Sequence, residues 1–356
     1  MCSEDSLYKG QAGPKFFEMS ALLPLGRVAY QAQQVALRLS LAAAHLGLRP
    51  LLPPREKPSR RDLAFLRRRF SRLLARDLEN VRAGLYPEEL LFSLPVREYL
   101  SGLPALAVEV ARMARRARSG EVRDLPEEVN LADYPPYFRR NFHWQTDGYL
   151  SRRSAELYDL SVEFLFLGAA DVMRRQTLPA VTRFLRKNPG QQRILDVACG
   201  TGRLLYQLSL AHPTHAYTGL DLSPFYIERA RELLSAKPVS LVNGNAETLP
   251  FGENSYDAIT SVFLFHELPV RARRNVLAEM RRVLRRDGLL VIEDAAQLAD
   301  SPELRVFLEN FGKDMNEPFF LDYLNETLEP MLEEAGFKVE SVTPAFLSKV
   351  IVARAV

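Results

Sequence analysis

The chain has 356 residues, long enough for more than one average domain, and its 47% hydrophobic and 26% charged content is that of an ordinary globular protein. Its two cysteines, Cys2 and Cys199, exclude a disulfide scaffold and a cysteine-built zinc site, and they fit a reducing compartment. The net charge of +3 divides unevenly: residues 1–190 carry 30 basic against 21 acidic side chains, and residues 191–356 carry 17 against 23. A basic half suggests an RNA or anionic-lipid partner. Yet 39 of the 47 basic residues are arginines spread along the whole chain, and the basic half lacks the interleaved aromatics of a strand-binding groove. A nucleic-acid partner is therefore not expected.

The first 20 residues carry acid early and no apolar centre, so no secretory signal is expected. No run reaches the ~18 to 20 apolar residues of a membrane span, and the expected location is the cytoplasm. Residues 1–20 read as loosely ordered. From Leu22 to about Leu48 apolar residues recur in a helical pattern that ends at Gly47 and Pro50. The proline-rich LLPPREKPSRRD reads as a linker or exposed loop. Over 61–83, Leu63, Leu66, Phe70, Leu73, Leu74 and Leu78 fall on one helical face with arginines opposite, so Arg67, Arg68 and Arg69 read as a solvated face. Short helices are expected at 87–100 and 104–118. Residues 1–130 are thus expected to form a helical N-terminal domain.

Residues 131–190 read as a lid or linker with a leading helix over 155–187, broken near Pro179. Their first part, LADYPPYFRRNFHWQTDGYLSRRSAELYDL, crowds aromatic and polar residues without clean periodicity, as a ligand-facing segment requires. The run Asn141 to Ser151 is expected to fold over a crevice. From 193 onward strand-like and helix-like runs alternate: RILDVAC, then GTGRLLYQLSLAH, AYTGLDLS, PFYIERARELLSA, VSLVNGNA, YDAITSVFLF, VRARRNVLAEMRRVL and GLLVIEDA. KVESVTPAF and SKVIVARAV close the chain as an expected antiparallel pair. This order predicts an α/β fold over 191–356: a doubly wound, Rossmann-like, mostly parallel seven-stranded sheet behind the N-terminal helical domain.

The segment Asp196 to Gly202, DVACGTG, sits where the first strand gives way to the first helix, at the topological switch where such sheets bind ligands. Gly200 and Gly202 allow a sharp turn and close backbone approach to a ligand. A dinucleotide fingerprint needs a third glycine where Leu205 stands. Asp196 puts a carboxylate at the loop base, able to hold loop amides or, through water, a cationic amino-acid moiety, and repellent to a pyrophosphate. Asp221, ending the second strand beside Leu222, offers an acceptor to both hydroxyls of a ribose. Asn245 and Ala246 follow the third strand, within reach of an adenine edge. Ser261 to His266, with Phe263 among them, follow the fourth strand, where cofactor and substrate meet.

These motifs, ILDVACGTG, GLDLS, GNAETLPF, SYDAITSVFLFHEL and RRVLRRDGLLVIED, resemble those of class I S-adenosylmethionine-dependent methyltransferases. The branch most similar is that of the ubiquinone- and menaquinone-biosynthesis methyltransferases. The resemblance covers about residues 190–296 and implies S-adenosylmethionine as cofactor. It implies that the Asp196–Gly202 loop, with Ala198, holds the methionine part, Asp221 the ribose and Asn245–Ala246 the adenine. Two positions depart from the pattern: many relatives carry Asp where Asn245 stands, and His-His where His266-Glu267 stands.

Methyl transfer from a sulfonium needs alignment, exclusion of water and, for a carbon or oxygen acceptor, a base. No metal cluster is expected. The candidate bases are His143, Tyr158 and His266. Asn141, Trp144, Gln145 and Tyr149 are the candidate substrate-binding residues, and Phe142, Phe263 and Phe265 the candidate apolar walls. Each has a structural alternative: Cys199 as a small residue in a tight loop, His266 as a cap or packing residue, His143, Trp144 and Gln145 as glue between domains, Tyr158 and Asp159 as helix residues packing on the core. The expected acceptor is a small, partly apolar metabolite, with Arg139, Arg140, Arg152, Arg153 and Arg203 as a basic rim. The alternatives are an RNA or protein methyltransferase docking through the basic N-terminal domain, and a non-catalytic cofactor-binding partner subunit.

Overall fold

Short Val-, Ile- and Leu-rich runs too brief for helices become strands, and the amphipathic stretches between them become covering helices. The computed structural model describes residues 23–48 and 57–356. The expected loose run over 1–20 and the first half of the proline-rich loop lie outside the described residues. The nucleotide-fold half runs β1 (Arg193–Val197), α7 (Arg203–Ala211), β2 (Ala216–Asp221), α8 (Pro224–Leu233), β3 (Val239–Asn243), β4 (Tyr256–Val262), α9 (Val270–Val283) and β5 (Leu284–Ala295). Then come α10 (Arg305–Asp314), α11 (Phe320–Asn325), α12 (Leu328–Glu334), β6 (Phe337–Ala345) and β7 (Ser348–Ala355). Before them lie α1 (Leu23–Leu48), α2 (Arg60–Arg82), α3 (Val96–Ser119), α4 (Arg152–Leu165), α5 (Ala170–Arg175) and α6 (Leu178–Lys187).

The seven strands form one sheet in the order β3-β2-β1-β4-β5-β7-β6, parallel except that β7 runs antiparallel to both β5 and β6. The chain leaves β1 toward β2 on one side and returns to β4 on the other, which opens a crevice beyond the ends of β1 and β4. Side chains alternate across the sheet. Ile194, Ala258, Leu289 and Val291 face one core, while Leu195, Ile259, Leu290 and Ile292 face another beneath α9 and α12.

The helical N-terminal region packs in two places: Leu37, Leu41, Tyr99 and Leu106 cluster with Leu160 and Phe164 of α4, and another part joins the sheet. Phe70 and Leu73 of α2, with Leu85, Tyr86 and Leu90, belong to the same buried cluster as Ile194, Leu205 and Val291 of the sheet half. The Phe70 ring meets Phe346 edge-on at 5.4 Å. Buried Asp77 on α2 takes Arg175 of α5 at 3.0 and 2.6 Å and also accepts the hydroxyls of Tyr30 and Tyr86. Arg69, expected on a solvated face, is buried and donates to Ser301 Oγ and the Ser348 carbonyl.

Two element boundaries also differ from expectation. The two short helices become a 3-10 turn (Glu88–Phe92) and one continuous α3 with Pro104 inside it. Pro104 is exposed beside exposed Leu100, so the carbonyl it cannot pair stays in reach of water. The helix expected over 155–187 breaks at Leu167 and Gly168, which have φ of 51° and 82°, whereas Pro179 sits in the first turn of α6, where no amide is needed. Among the described residues no helix is long and apolar enough to cross a membrane.

Candidate functional site

The loop after β1 turns through left-handed backbone at Ala198, Gly200 and Gly202, with φ of 59°, 54° and 83°. The two glycines serve different ends. A side chain added at Gly200 would meet nothing within 4 Å, because that face opens into the crevice. One added at Gly202 would stand 2.9 Å from Leu234, so this glycine lets α7 start close against the end of α8 rather than approach a ligand. Cys199 is buried, and its amide donates to the Leu220 carbonyl.

The loop is anchored from β2. Asp221 accepts the Gly200 amide at 2.9 Å through Oδ2 and the Ser223 amide at 2.9 Å through Oδ1. Burial pushes its carboxyl up to about 6, against the pull of those amides. Asp196, expected to hold loop amides, instead accepts the Thr260 hydroxyl at 2.7 Å beneath the loop, and burial pushes it up to about 7. Asp196 and Gly202 support the crevice without lining it. Ala198, Gly200, Asp221, Leu222, Asn245, Ala246 and Phe263 do line it.

The cleft encloses about 780 Å³ including its open mouth, within the range of small-molecule sites. Among the described residues its wall holds the carboxylates of Asp221 and Glu267 and no Lys or Arg. That chemistry fits an adenosine bearing a positive sulfonium and ammonium, as in S-adenosylmethionine, and does not fit a pyrophosphate. Asp221 and Asn245, expected at the ribose and the adenine, both line the cleft, and the Asn245 Oδ1 is already held by the Glu247 amide at 2.9 Å.

The opposite wall is aromatic. Tyr137, Phe138, Phe142, Tyr149, Tyr158 and Tyr226 all face the cleft. Phe142 stacks on Tyr149 at 5.4 Å, and Tyr149 meets Tyr226 edge-on at 5.5 Å. Ser223 Oγ donates to the Tyr149 carbonyl at 2.6 Å, which ties the 141–151 run to the end of β2. Tyr149 in turn donates from its hydroxyl to Glu267 Oε1. Burial first, then Glu267, push the Tyr158 phenol up, so it stays protonated near neutrality and donates hydrogen bonds rather than acting as a base.

Several candidates lie elsewhere. Asn141 is fully buried and spends its amide on backbone, with Oδ1 taking the Asp124 amide and Nδ2 serving the Asp124 and Gln145 carbonyls. Trp144 turns its indole N–H to the Asp314 carbonyl at 2.7 Å. Gln145 binds the Gly148 carbonyl at 2.9 Å and borders a second cavity. Phe265 is fully buried in the core under α9. His266 also lies outside the cleft wall, with Nδ1 on Asp294 at 2.5 Å. Burial alone would lower it, but Asp294 outweighs burial and holds it at about 9. Asp294 also accepts the amides of Leu264 and Phe265, so the pair braces the turn after β4. Arg203, expected at a basic rim, is buried and pairs with Asp171 beside Arg174.

His143 is the candidate base that the fold equips. Its backbone is left-handed, with φ of 53°, followed by Trp144 at 59°. Its Nε2 lies 3.1 Å from Glu317 and 3.4 Å from Glu267. Burial pulls the ring's proton affinity down, and Glu317 and then Glu267 raise it beyond that loss. One nitrogen or carboxylate oxygen from each of the three side chains lies within 4.8 Å of the others, and both Glu317 oxygens and His143 Nδ1 are buried without a hydrogen-bond partner. Glu317 is buried, and burial pushes its carboxyl up. Glu317 went unnamed in the sequence, and Glu267 was named only as a departure from the family pattern. Glu267 had a signal, the departure from His-His, whereas Glu317 sits in an aperiodic stretch with none.

The methyltransferase-domain family matches residues 194–288. Over 140 residues the chain is 39% identical to a demethylmenaquinone methyltransferase of Thermotoga maritima, covering 39% of this chain and 57% of that protein. Over 200 residues it is 32% identical to the O-methyltransferase rstn1 of Aspergillus nomiae, covering 52% of this chain and 86% of that protein. A solved S-adenosylmethionine-dependent methyltransferase from Aquifex aeolicus is 21% identical, with a TM-score of 0.37 over 49% of this chain and 88% of that one. The chain thus spans little more than half the length of the Thermotoga relative.

Proposed function

The chain belongs to the class I S-adenosylmethionine-dependent methyltransferases, and from that premise we propose that it methylates a small, partly apolar acceptor by direct displacement. When bound, the cofactor supplies a methyl group already activated on a positive sulfur. What remains for the chain is to orient, to exclude water and to move a proton. Asp221 and the open face of Gly200 hold the cofactor's ribose and amino-acid ends. The aromatic wall of Phe142, Tyr149, Tyr158 and Tyr226 keeps water from the transfer. His143 lies behind the cleft wall and meets it through Glu267, and that pair takes the acceptor's proton.

The observation that carries this reading is the composition of the cleft: rings on one side, two carboxylates and no basic side chain among the described residues. A phosphate-rich acceptor would require the reverse. Of the arginines expected as a basic rim, none lines the cleft: Arg203 pairs inward with Asp171, Arg139 donates to the Tyr134 carbonyl, exposed Arg152 pairs with Glu156, Glu228 and Glu232, and exposed Arg153 borders the second cavity. That leaves the reading of a basic docking face without support from them. The test is an assay of cell extract with methyl-labelled S-adenosylmethionine, with and without nuclease. Label in the low-molecular-mass fraction is expected. Label that follows RNA and disappears on nuclease treatment overturns the proposal.

A further inference from the structure

Three turns meet behind the wall of the cofactor cleft. His143 comes from the turn over Phe142–Trp144, Glu267 from the turn after β4, and Glu317 from the turn between α10 and α11. His143 Nε2 lies 3.1 Å from Glu317 Oε1 and 3.4 Å from Glu267 Oε1. Glu267 also lines the cleft, so the cluster communicates with it.

The three side chains are held in place from outside the cluster. The Trp144 indole donates to the Asp314 carbonyl and Asn316 Nδ2 to the Asn141 carbonyl, both at 2.7 Å. These bonds clamp the turn carrying His143 to the turn carrying Glu317. Tyr149 donates to Glu267, and the His266–Asp294 pair braces the turn that carries it. A ligand set fixed through its neighbours is what firm metal binding requires.

Glu317 stands out within the cluster. Its side chain is fully buried, and neither of its oxygens accepts a hydrogen bond although His143 Nε2 is 3.1 Å away. Arg140 and His266 act on it from farther off, but neither forms an ion pair with it, and His266 is held by Asp294. A buried carboxylate is costly unless a charge or a donor meets it. Two atoms that ligate one ion at ~2.1 Å stand roughly 3.0–3.4 Å apart, each with its lone pair aimed at the ion and not at its neighbour. Close approach without an aligned hydrogen bond is the sign of that arrangement. A proton on His143 cancels only one of the two carboxylate charges, whereas a divalent ion cancels both.

We propose that His143, Glu267 and Glu317 form a binding site for one divalent transition-metal ion, zinc by preference. The imidazole argues against Mg²⁺ and Ca²⁺, which take oxygen ligands, and three protein ligands leave zinc a fourth position for water. The ion takes the Nε2 lone pair and a Glu267 oxygen. Those are the groups given the acceptor's proton above, so a loaded site arrests methyl transfer without entering the cofactor's place. That consequence rests on the methyltransferase reading, whereas the site itself does not.

The probe is Zn²⁺ titrated calorimetrically into the full chain, with the visible absorption of Co²⁺ as a second measure of direct ligation. Zn²⁺ is expected to bind, and the Co²⁺ absorption to rise on binding. Glu317→Gln keeps the shape and His143→Phe keeps a ring; each, shown to be folded by thermal unfolding, should weaken Zn²⁺ by at least about tenfold. His215→Ala, at the far end of β1 and β2, should leave Zn²⁺ affinity unchanged. In the labelled-extract assay Zn²⁺ should suppress transfer by the wild-type chain, and a chelator should restore it. The site is overturned if Zn²⁺ does not bind, or if the folded Glu317→Gln and His143→Phe chains bind it as wild type does. Full transfer by the zinc-loaded chain overturns the arrest. Failure of S-adenosylhomocysteine to bind the wild-type chain would instead sink the methyltransferase reading and leave the ion site standing.

Discussion

Asp221 accepts the Gly200 amide at 2.9 Å, so the carboxylate proposed for the ribose also fixes the glycine turn that opens into the cleft. Removing it acts twice. Asp221→Ala is expected to weaken S-adenosylmethionine binding by roughly 1–3 kcal/mol, through lost acceptor contacts and a loosened loop. Calorimetry showing unchanged affinity would refute the assignment.

The same carboxylate sets a pH dependence. Because burial raises it to about 6, lowering the pH through that value protonates it, removes the charge that accepts from the hydroxyls and weakens cofactor binding. Affinity should therefore be full above neutrality and fall on the acid side of about pH 6. Asp221→Asn should bind more weakly throughout and lose most of that acid-side fall. Parallel curves for the two proteins would move the titration to another group, Asp196 first.

The two loop glycines should fail differently. Gly200→Val projects into open cleft and is expected to abolish cofactor binding, with added backbone strain of about 1–3 kcal/mol from its φ of 54°. Gly202→Ala meets Leu234 at 2.9 Å and is expected to lower stability by roughly 2 kcal/mol while sparing cofactor affinity in the protein that remains folded. Thermal unfolding paired with calorimetry separates the two.

His266 should matter to stability rather than to transfer. Its raised proton affinity means the Asp294 pair stabilises the fold fully below about pH 6.5 and loses that contribution as pH rises through about 9. Replacing it with Gln is expected to cost on the order of 3 kcal/mol at neutral pH, and the gap to wild type should close at alkaline pH. A gap that widens with pH would contradict the pairing.

Asp77→Ala leaves Arg175 buried without its counter-charge and should cost about 3–5 kcal/mol. Because α2 shares a core with the sheet, unfolding of both wild type and variant should be one transition in calorimetry. Two separable transitions would show an independent N-terminal domain.

What the sequence made legible is what depends on local pattern. Alternating apolar runs announce strands and helices. Asp221 and Gly200 come together because each ends or follows a strand at the switch point, a position readable from order alone. The pairing of His143 with Glu317 depends on a left-handed backbone at 143 and 144 and on the helices between β5 and β6, where no period of 2 or 3.6 stands out. Asn141 misled for a related reason: a polar residue among aromatics reads as ligand-facing, whereas two backbone carbonyls and one amide had already claimed it. Arg69 was misread because its buried partners, Ser301 and Ser348, lie more than 230 residues away.

The place of β7 between β5 and β6 bears on how the protein is made. Strand β6 has no neighbour but β7, and the outer edge of β5 stays unpaired until residues 348–355 have been synthesised and have cleared the ribosome. The crevice between β1 and β4 can therefore assemble on the nascent chain well before the sheet is closed. In that interval the 12-residue β5, apolar over 289–292, shows a bare edge to its surroundings. Slow synthesis of β6 and β7 would prolong that exposure, so the window in which nascent copies can associate is set by how soon β7 follows β5.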